Sequence, residues 1–454
     1  MVSGEVEVEE ITTEQKTQWF TRMFSKVGLD LRLFYIAVPR AKGDLIGVPA
    51  HLVAAMIAIV CEAISTASSS IGIGILVVAT LLRAPALVPT WKQMLGQFWI
   101  QALLVWIAWM ALSLSWSPDP TMGKRRLFVL VFFVWVPLLW PLYKEWRWLF
   151  AAFLFSALVL QCIQVSGAFG ATHQGENLIK GFRHPTVVGM WDAIALSCWL
   201  FLAVAASWRA MLLCIPLAVL SAIGFIWAGQ RAALWAILVE IFFANIALVF
   251  AVRGWLRRAG LRLVLALLVI GGVYSFIGDE LTAKFKQVYN ETTKNFITVK
   301  VVQESEINSK IAYEVRFAMW KMSLIAWQKH PIIGVGYGGY SKATAPIDDV
   351  VMQSFDVHCH DHPHNTYVMI LTENGMFGLV LFMIWAGAFF VRAFQLVQLD
   401  PIRIGAFGGA VVWFTAAIAD GFHTREMFLA VGVIMISLAG MPLKNSSNHE
   451  ETVL

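Results

Sequence analysis

The sequence predicts an all-α, polytopic membrane helix bundle of about twelve transmembrane helices, with one large loop on the outer face between the ninth and the tenth. Three observations carry this. Hydrophobic residues make up 59% of the 454-residue chain and charged residues only 14%, with a mean hydropathy of +0.69, which excludes an ordinary soluble globular protein. Apolar runs of about 20 residues, enough to cross roughly 30 Å of hydrocarbon, recur along the whole length. Between two of them lies a polar stretch of about 90 residues, far longer than a normal interhelical connection.

Residues 1–44 contain no uninterrupted apolar core ahead of a small-residue cleavage site, so no cleaved signal peptide is expected and the segment reads as cytoplasmic. Within it, Trp19, Phe20, Met23, Phe24, Val27 and Leu31 recur at helical spacing with Lys16, Arg22, Lys26 and Arg32 between them. That amphipathic pattern suits a helix lying on an anionic leaflet or one packed against the bundle. Residues 45–277 form the first part of the bundle, with about nine spans expected at 45–64, 68–82, 95–114, 127–142, 148–165, 186–206, 210–228, 232–252 and 261–277. The second is short and flanked by serines. Residues 278–365 are the periplasmic loop. Spans at 366–391, 404–419 and 427–441 complete the bundle, and 442–454 form a cytoplasmic tail.

Orientation follows from Lys and Arg, which are retained in cytoplasmic loops. The cluster Arg253, Arg257, Arg258 and Arg262 marks that side, and Lys144, Arg147, Arg209, Arg392 and Arg403 fall on it as well. Lys124, Arg125 and Arg126 run against the rule, because this topology exports them. Either the rule is locally broken or these cations have an outside task such as phosphate binding. Cys61, Cys162, Cys198 and Cys214 sit in expected spans and only Cys359 in an exported loop, so no disulfide framework is expected. The surroundings implied are membrane lipids, with no nucleic acid among the partners.

The periplasmic loop has two halves. The first, "DELTAKFKQVYNETTKNFITVKVVQESEIN", is polar and of mixed charge and reads as amphipathic helix along the membrane surface or as a flap. The second, "RFAMWKMSLIAWQKHPIIGVGYGGYSKA", reads as a helix from about Arg316, stopped by His330-Pro331 and followed by a turn rich in glycine at Gly334, Gly336, Gly338 and Gly339. Such glycines let a backbone turn sharply or approach a ligand closely. No lysine follows where a nucleotide-binding loop needs one.

Next comes "HPHNTYVMILTENGMFG", in which His364 and Asn365 are followed by nine residues, then Gly375, two residues and Gly378. This segment resembles the signature of the O-antigen ligase and O-antigen polymerase superfamily, in which His is followed by Asn, Ser or Gln and, nine residues on, by Gly, two residues and Gly. The run ending in "HPIIGVGYGGY" resembles the family segment ahead of that histidine and puts Arg316 where the family has an arginine in its large loop. "GQRAALWA" resembles the motif opening a mid-chain span and carries a second functional arginine onto Arg231. "GFRHPTVVGM" resembles a further family segment containing Arg183 and His184, with Thr186 standing where Asn is usual. The matches reach from about residue 113 to Gly378.

The resemblance implies a glycosyltransferase on the periplasmic face of the bacterial inner membrane. It would move a glycan en bloc from undecaprenyl diphosphate to an acceptor hydroxyl, without metal or other cofactor. A lipid A core sugar is the favoured acceptor, as in a ligase; a polymerase would instead extend another lipid-linked chain. Arg231 and Arg316 would hold the diphosphate, and His364 would be the base. Asn365 would orient a sugar hydroxyl or the imidazole, and Arg183 and His184 would contact substrate.

Elementary chemistry agrees. A planar guanidinium donates two parallel hydrogen bonds to phosphate oxygens, and an imidazole titrates near neutral pH and can take a proton from an attacking hydroxyl. Arg231 opens the eighth expected span at its outer edge, where a charge usually has a partner or a task, unless it snorkels to the interface. Arg316 lies close to Glu314 and can also be read as a solvated charge. Arg125 and Arg126 would supplement phosphate binding if exported. Gly375 and Gly378 lie nearly on one face of the tenth span, where a neighbouring helix could pack closely. In "ADGFHTRE", Asp420, His423 and Arg425 sit at the outer mouth of the last two spans, lining the acceptor side or merely solvated.

Two other readings stay open. "HCHDHPH" puts His358, His360, His362 and His364 at alternate positions, and on an extended segment these share one face suited to Zn, Cu or Ni, although Pro363 interrupts the run and the spacing is not that of a known zinc site. A transporter would carry charges near the bilayer midplane, and Glu62, Asp192 and Glu240 do fall within expected spans. The distinctive polar groups nevertheless gather at the outer surface.

Overall fold

The computed structural model describes residues 40–166, 172–174, 178–180, 185–205, 208–228, 231–251, 304–351, 362–419, 421 and 426–443. The expected ninth span at 261–277, most of the amphipathic N-terminal segment and residues 278–303 of the expected large loop lie outside them. The regular secondary structure of the described residues is helical apart from one antiparallel ribbon, β1 (Thr172–Gln174) and β2 (Leu178–Lys180), in which Thr172 faces Lys180.

The first two helices, α1 (Gly47–Ile64) and α2 (Thr66–Leu81), follow the expected first two spans. Ser65 separates them, and its hydroxyl accepts from the Ser68 amide while the Ser68 hydroxyl accepts from the Ser65 amide, a reciprocal cap. Their far ends are tied by polar side chains. Asp44 accepts from Arg83 Nε at 3.0 Å, Arg83 Nη1 lies 2.9 Å from His51 Nδ1, and Thr80 Oγ1 lies 3.0 Å from His51 Nε2. With Arg83 held there, the chain turns by 99° into α3 (Ala84–Leu95). The expected short span is therefore one limb of a bent pair.

α4 (Phe98–Ser113) matches the third expected span. The fourth, at 127–142, forms differently: α5 (Pro120–Val129), a 3₁₀ turn over Leu130–Val134, α6 (Trp135–Leu139) and a second 3₁₀ turn over Trp140–Glu145 lead into α7 (Trp146–Ser166). Pro137 and Pro141 each remove a backbone donor, which disfavours one continuous α-helix and favours tighter turns. Helices α8 (Pro185–Ala205), α9 (Trp208–Ala228) and α10 (Arg231–Ala251) fall on the next three expected spans. Then follow α11 (Glu304–Lys329), α12 (Tyr340–Val351), α13 (Thr366–Leu399), α14 (Ile404–Ala416) and α15 (Glu426–Gly440).

By length and composition, four described helices can each cross a membrane: Gly47–Ile64, Phe98–Trp116, Pro120–Gln164 and Thr366–Leu399, or up to five with the bent pair. Val187–Ala203, Met211–Phe225, Val239–Phe250, Pro401–Ala416 and Phe428–Gly440 are shorter apolar helices. The chain is thus a multi-pass helical membrane protein, and its exposed large hydrophobics, among them Phe128, Phe242, Phe250 and Leu399, suit contact with acyl chains.

α14 is apolar on every side and almost entirely buried, as expected of a central helix, and it packs against α8, α10 and α15. α4 and α13 run antiparallel, as their aromatic contacts show. Trp109 meets Phe377 at 4.6 Å, Trp106 stacks on Trp385 at 5.3 Å, and Trp99 meets Phe389 at 5.7 Å between ring centroids. The acidic side chains Asp192, Glu240 and Glu62 inside the bundle are each hydrogen-bonded. Asp192 accepts from Gln161 Nε2 at 3.2 Å and from Gln164 Nε2 at 3.1 Å, Ser197 donates to Glu240, and Ser69 donates to Glu62.

The ends of α13 differ in kind. At its C-terminal end Arg147 bonds Asp400 at 3.1 Å, and Arg403 donates to the Leu438, Met441 and Pro442 carbonyls at 3.1, 2.6 and 3.2 Å. His364 sits at the other end, and the glycine-rich loop meets the helix in between, at Gly375.

Candidate functional site

The site grows from a fault in α13. Gly375 has φ 68° and ψ −173° in the middle of that helix, which breaks the ladder of hydrogen bonds and leaves backbone groups on either side without helical partners. The glycine-rich loop after α11 supplies them. Val335 and Gly336 donate to the carbonyls of Thr372 and Glu373 at 3.0 and 2.8 Å, and Met376 and Phe377 donate to those of Pro331 and Ile332 at 2.9 and 3.1 Å. A Cβ at Gly375 would collide with the Ile332 carbonyl. The expectation that a helix packs on Gly375 is therefore replaced by loop backbone there. At Gly378 the nearest atoms are Asn374 Cβ of the same helix and then the Trp109 indole of α4.

Glu373, fully buried just before the break, gathers the loop from inside. Its Oε1 accepts from Arg126 Nη1 at 2.6 Å and from the Tyr340 amide at 3.2 Å. Gly338 and Gly123 touch backbone to backbone, so that a Cβ on either would overlap the other segment. This seats the loop on α5. Ser113, the last residue of α4, accepts from Asn374 Nδ2 at 2.9 Å and from the Tyr337 amide at 3.2 Å. Burial, with the Glu373 carboxylate nearby, pushes the Tyr337 phenol far above the ordinary tyrosine range, so it is neutral at any physiological pH.

At the mouth of α13, His364 is half-buried with a φ of 50°. It is the only non-glycine residue with positive φ among the described residues, and such strain concentrates at functional positions. The Trp320 indole of α11 donates to the Pro363 carbonyl at 2.9 Å. Arg316, also half-buried, lies one helical turn before Trp320 on the same face of α11. Asn365 is the N-cap of α13, and its Oδ1 accepts from the Tyr367 and Val368 amides at 2.9 and 3.0 Å. That oxygen is engaged with the helix rather than with the imidazole. The His362 and His364 rings lie 4.4 Å apart between centroids.

Of the other expected site residues, Lys124 and Arg125 are exposed on α5 while Arg126 turns inward to Glu373. Arg231 opens α10, and its side chain lies outside the described residues. Arg183, His184, His358, His360, Asp420, His423 and Arg425 also lie outside them. Among the described residues no group of three or more His, Cys, Asp or Glu side chains comes together as a metal site. Sequence reasoning missed Glu373, Asn374 and Ser113. The available signal was Glu373 itself, an acid inside an apolar span, where ionisable residues mark function or a partner.

Residues 216–383 match the family model described as O-Antigen ligase. The matched stretch runs from within α9 past the Gly375 break and contains Arg231, Arg316, the glycine-rich loop, His364 and Asn365. Arg126 reaches into it from outside. The chain has no match among curated proteins. The family match supports the O-antigen ligase and polymerase superfamily that the motifs resemble, and with it a membrane glycosyltransferase-like enzyme.

Proposed function

With residues 216–383 similar to O-antigen ligases, we propose that this protein is an O-antigen ligase-type glycosyltransferase, which moves a glycan en bloc from undecaprenyl diphosphate to an acceptor hydroxyl on a lipid A core sugar. The reaction takes place on the periplasmic face of the inner membrane and needs no metal. The acceptor O–H loses its proton to His364, the freed oxygen attacks the anomeric carbon, and the bond from that carbon to the diphosphate oxygen breaks. Undecaprenyl diphosphate leaves with the bonding electrons. Arg231 and Arg316 neutralise the charge that builds on it, as bidentate guanidinium groups do for phosphate oxygens.

The observation that carries this reading is His364 itself, a strained residue at the mouth of α13 whose neighbouring carbonyl is held by Trp320, one turn from Arg316. A base and a diphosphate ligand borne on two joined helices suit an attack in which proton removal and leaving-group departure occur on one sugar carbon. Arg183, His184, Arg125, His423 and Arg425 are the further substrate contacts in this reading.

The test gives purified wild-type and His364→Ala protein, with chelator present, labelled undecaprenyl-diphosphate glycan with and without a lipid A core acceptor. Transfer to the core by the wild type, falling about 10²- to 10⁴-fold in the variant, is the expected result for loss of a general base. An unchanged rate in the variant removes His364 as base. A ladder of lengthened lipid-linked chains in place of a core adduct makes the protein a polymerase, and binding of the donor without any product points to transport.

A further inference from the structure

Thr366–Asn374, the first limb of α13, carries His364 at its N-terminal mouth and is held at both ends by one structural unit. At the mouth, Trp320 of α11 takes the Pro363 carbonyl. At the break, the loop that continues α11 takes the Thr372 and Glu373 carbonyls. Arg316 is on that same helix. Its position relative to His364 therefore depends on how the loop is seated at the break.

The element that seats the loop is ionic. Replacing a buried ion pair by apolar side chains of similar size is often neutral or stabilising, so bulk stability is a weak reason for charge at this place. A carboxylate does something an apolar side chain cannot: it accepts from the Tyr340 amide at the end of the loop while Arg126 holds it from α5. Two segments distant in sequence, the end of the loop and α5, are thus fixed to one carboxylate of α13. Arg126 in turn is spent on this contact, leaving Lys124 and Arg125 as the exposed cations of α5.

We propose that the Arg126–Glu373 pair is a positioning element for glycosyl transfer, fixing the glycine-rich loop on the α13 break so that Arg316 and His364 are held at a working separation. The proposal rests on the transferase reading above. Glu373 is fully buried and touches no reacting atom, and it acts through the loop.

The experiment compares full-length wild type, Glu373→Gln and the double variant Arg126→Met/Glu373→Met in lipid nanodiscs. It reads donor affinity, kcat and KM, melting temperature, and amide exchange over 332–341 and 372–378. In Glu373→Gln, kcat should fall by about 10²-fold, the scale of a misplacement near 1 Å, while donor Kd and KM change by less than about threefold. Exchange should rise in the two segments and stay unchanged elsewhere in the bundle. The double variant, free of uncompensated charge, should melt close to wild type and remain as slow, with the same local exchange. Wild-type kcat in a folded double variant overturns the proposal, because the pair then only fills space. A weaker donor Kd with unchanged kcat overturns it too, because Arg126 then binds donor directly. Should the wild type transfer no glycan, the function fails on its own account, and unaltered exchange in both variants is the separate result that sinks the clamp.

Discussion

The Trp320 indole nitrogen sits 2.9 Å from the Pro363 carbonyl oxygen and donates to it, pinning the residue before His364 to the helix that carries Arg316. Trp320→Phe keeps the apolar ring and removes the donor. The loss should cost about 0.5–1.5 kcal/mol of stability, the usual net worth of one hydrogen bond. If the contact sets the histidine, turnover falls further than that small destabilisation explains. Melting temperature and kcat measured on the same preparation separate the two, and a variant that melts lower but turns over normally would show that the indole serves only packing.

Gly375→Ala tests the break in α13. A residue with a Cβ at φ 68° costs roughly 1–2 kcal/mol on conformational grounds alone, before any collision with the Ile332 carbonyl. The expected outcome is a protein that inserts in the membrane yet melts well below wild type and has lost transfer, because the helix and the loop can no longer share their backbone groups. A variant with full activity would mean that the loop seats without the break.

How much of this was readable beforehand depended on distance along the chain. The first span, expected at 45–64, forms as Gly47–Ile64, and the seventh, expected at 210–228, forms as Trp208–Ala228; a continuous apolar run needs no distant partner to be helical in lipid. The bend after Leu81 was not readable, because Asp44, which holds Arg83, is 39 residues away. The broken stretch after Pro120 was hidden by an apolar run in which Pro137 and Pro141 act on the backbone alone. The sequence offers Arg126 only as a cation that would supplement phosphate binding if exported, since Glu373 lies 247 residues further on. The glycine spacing of the motif was legible, but its task was not: a pattern cannot tell helix-to-helix packing from a helix opened for a loop.

Asn365 is the N-cap of α13, engaging two amides. Asn365→Ala should lose about 0.5–2 kcal/mol, and Asn365→Asp, which still accepts from both amides, should lose little. If Asn365 acts only as a cap, the two variants will rank the same way in turnover as in melting temperature. An Asp variant that is stable but inactive would show that the Asn amide nitrogen also meets substrate.

Arg231→Lys should fold, since an ammonium at the start of α10 can reach the interface as an arginine does. It should bind the lipid diphosphate donor more weakly and transfer more slowly, because a point charge cannot reproduce a bidentate guanidinium contact. Donor affinity and turnover equal to wild type would leave the arginine as a membrane-interface residue.

The strain at His364 yields a prediction in which stability and activity move in opposite directions. A φ of 50° on a residue with a Cβ is held by its surroundings at a cost of about 1–3 kcal/mol, and only glycine adopts that region freely. His364→Ala removes the imidazole but keeps the strain; His364→Gly removes both. The glycine variant should therefore melt above the alanine variant, with both lacking transfer. The difference isolates the backbone cost from the side chain's own contacts. Were the alanine variant the more stable of the two, the left-handed conformation would carry no strain and would not mark the histidine as functional.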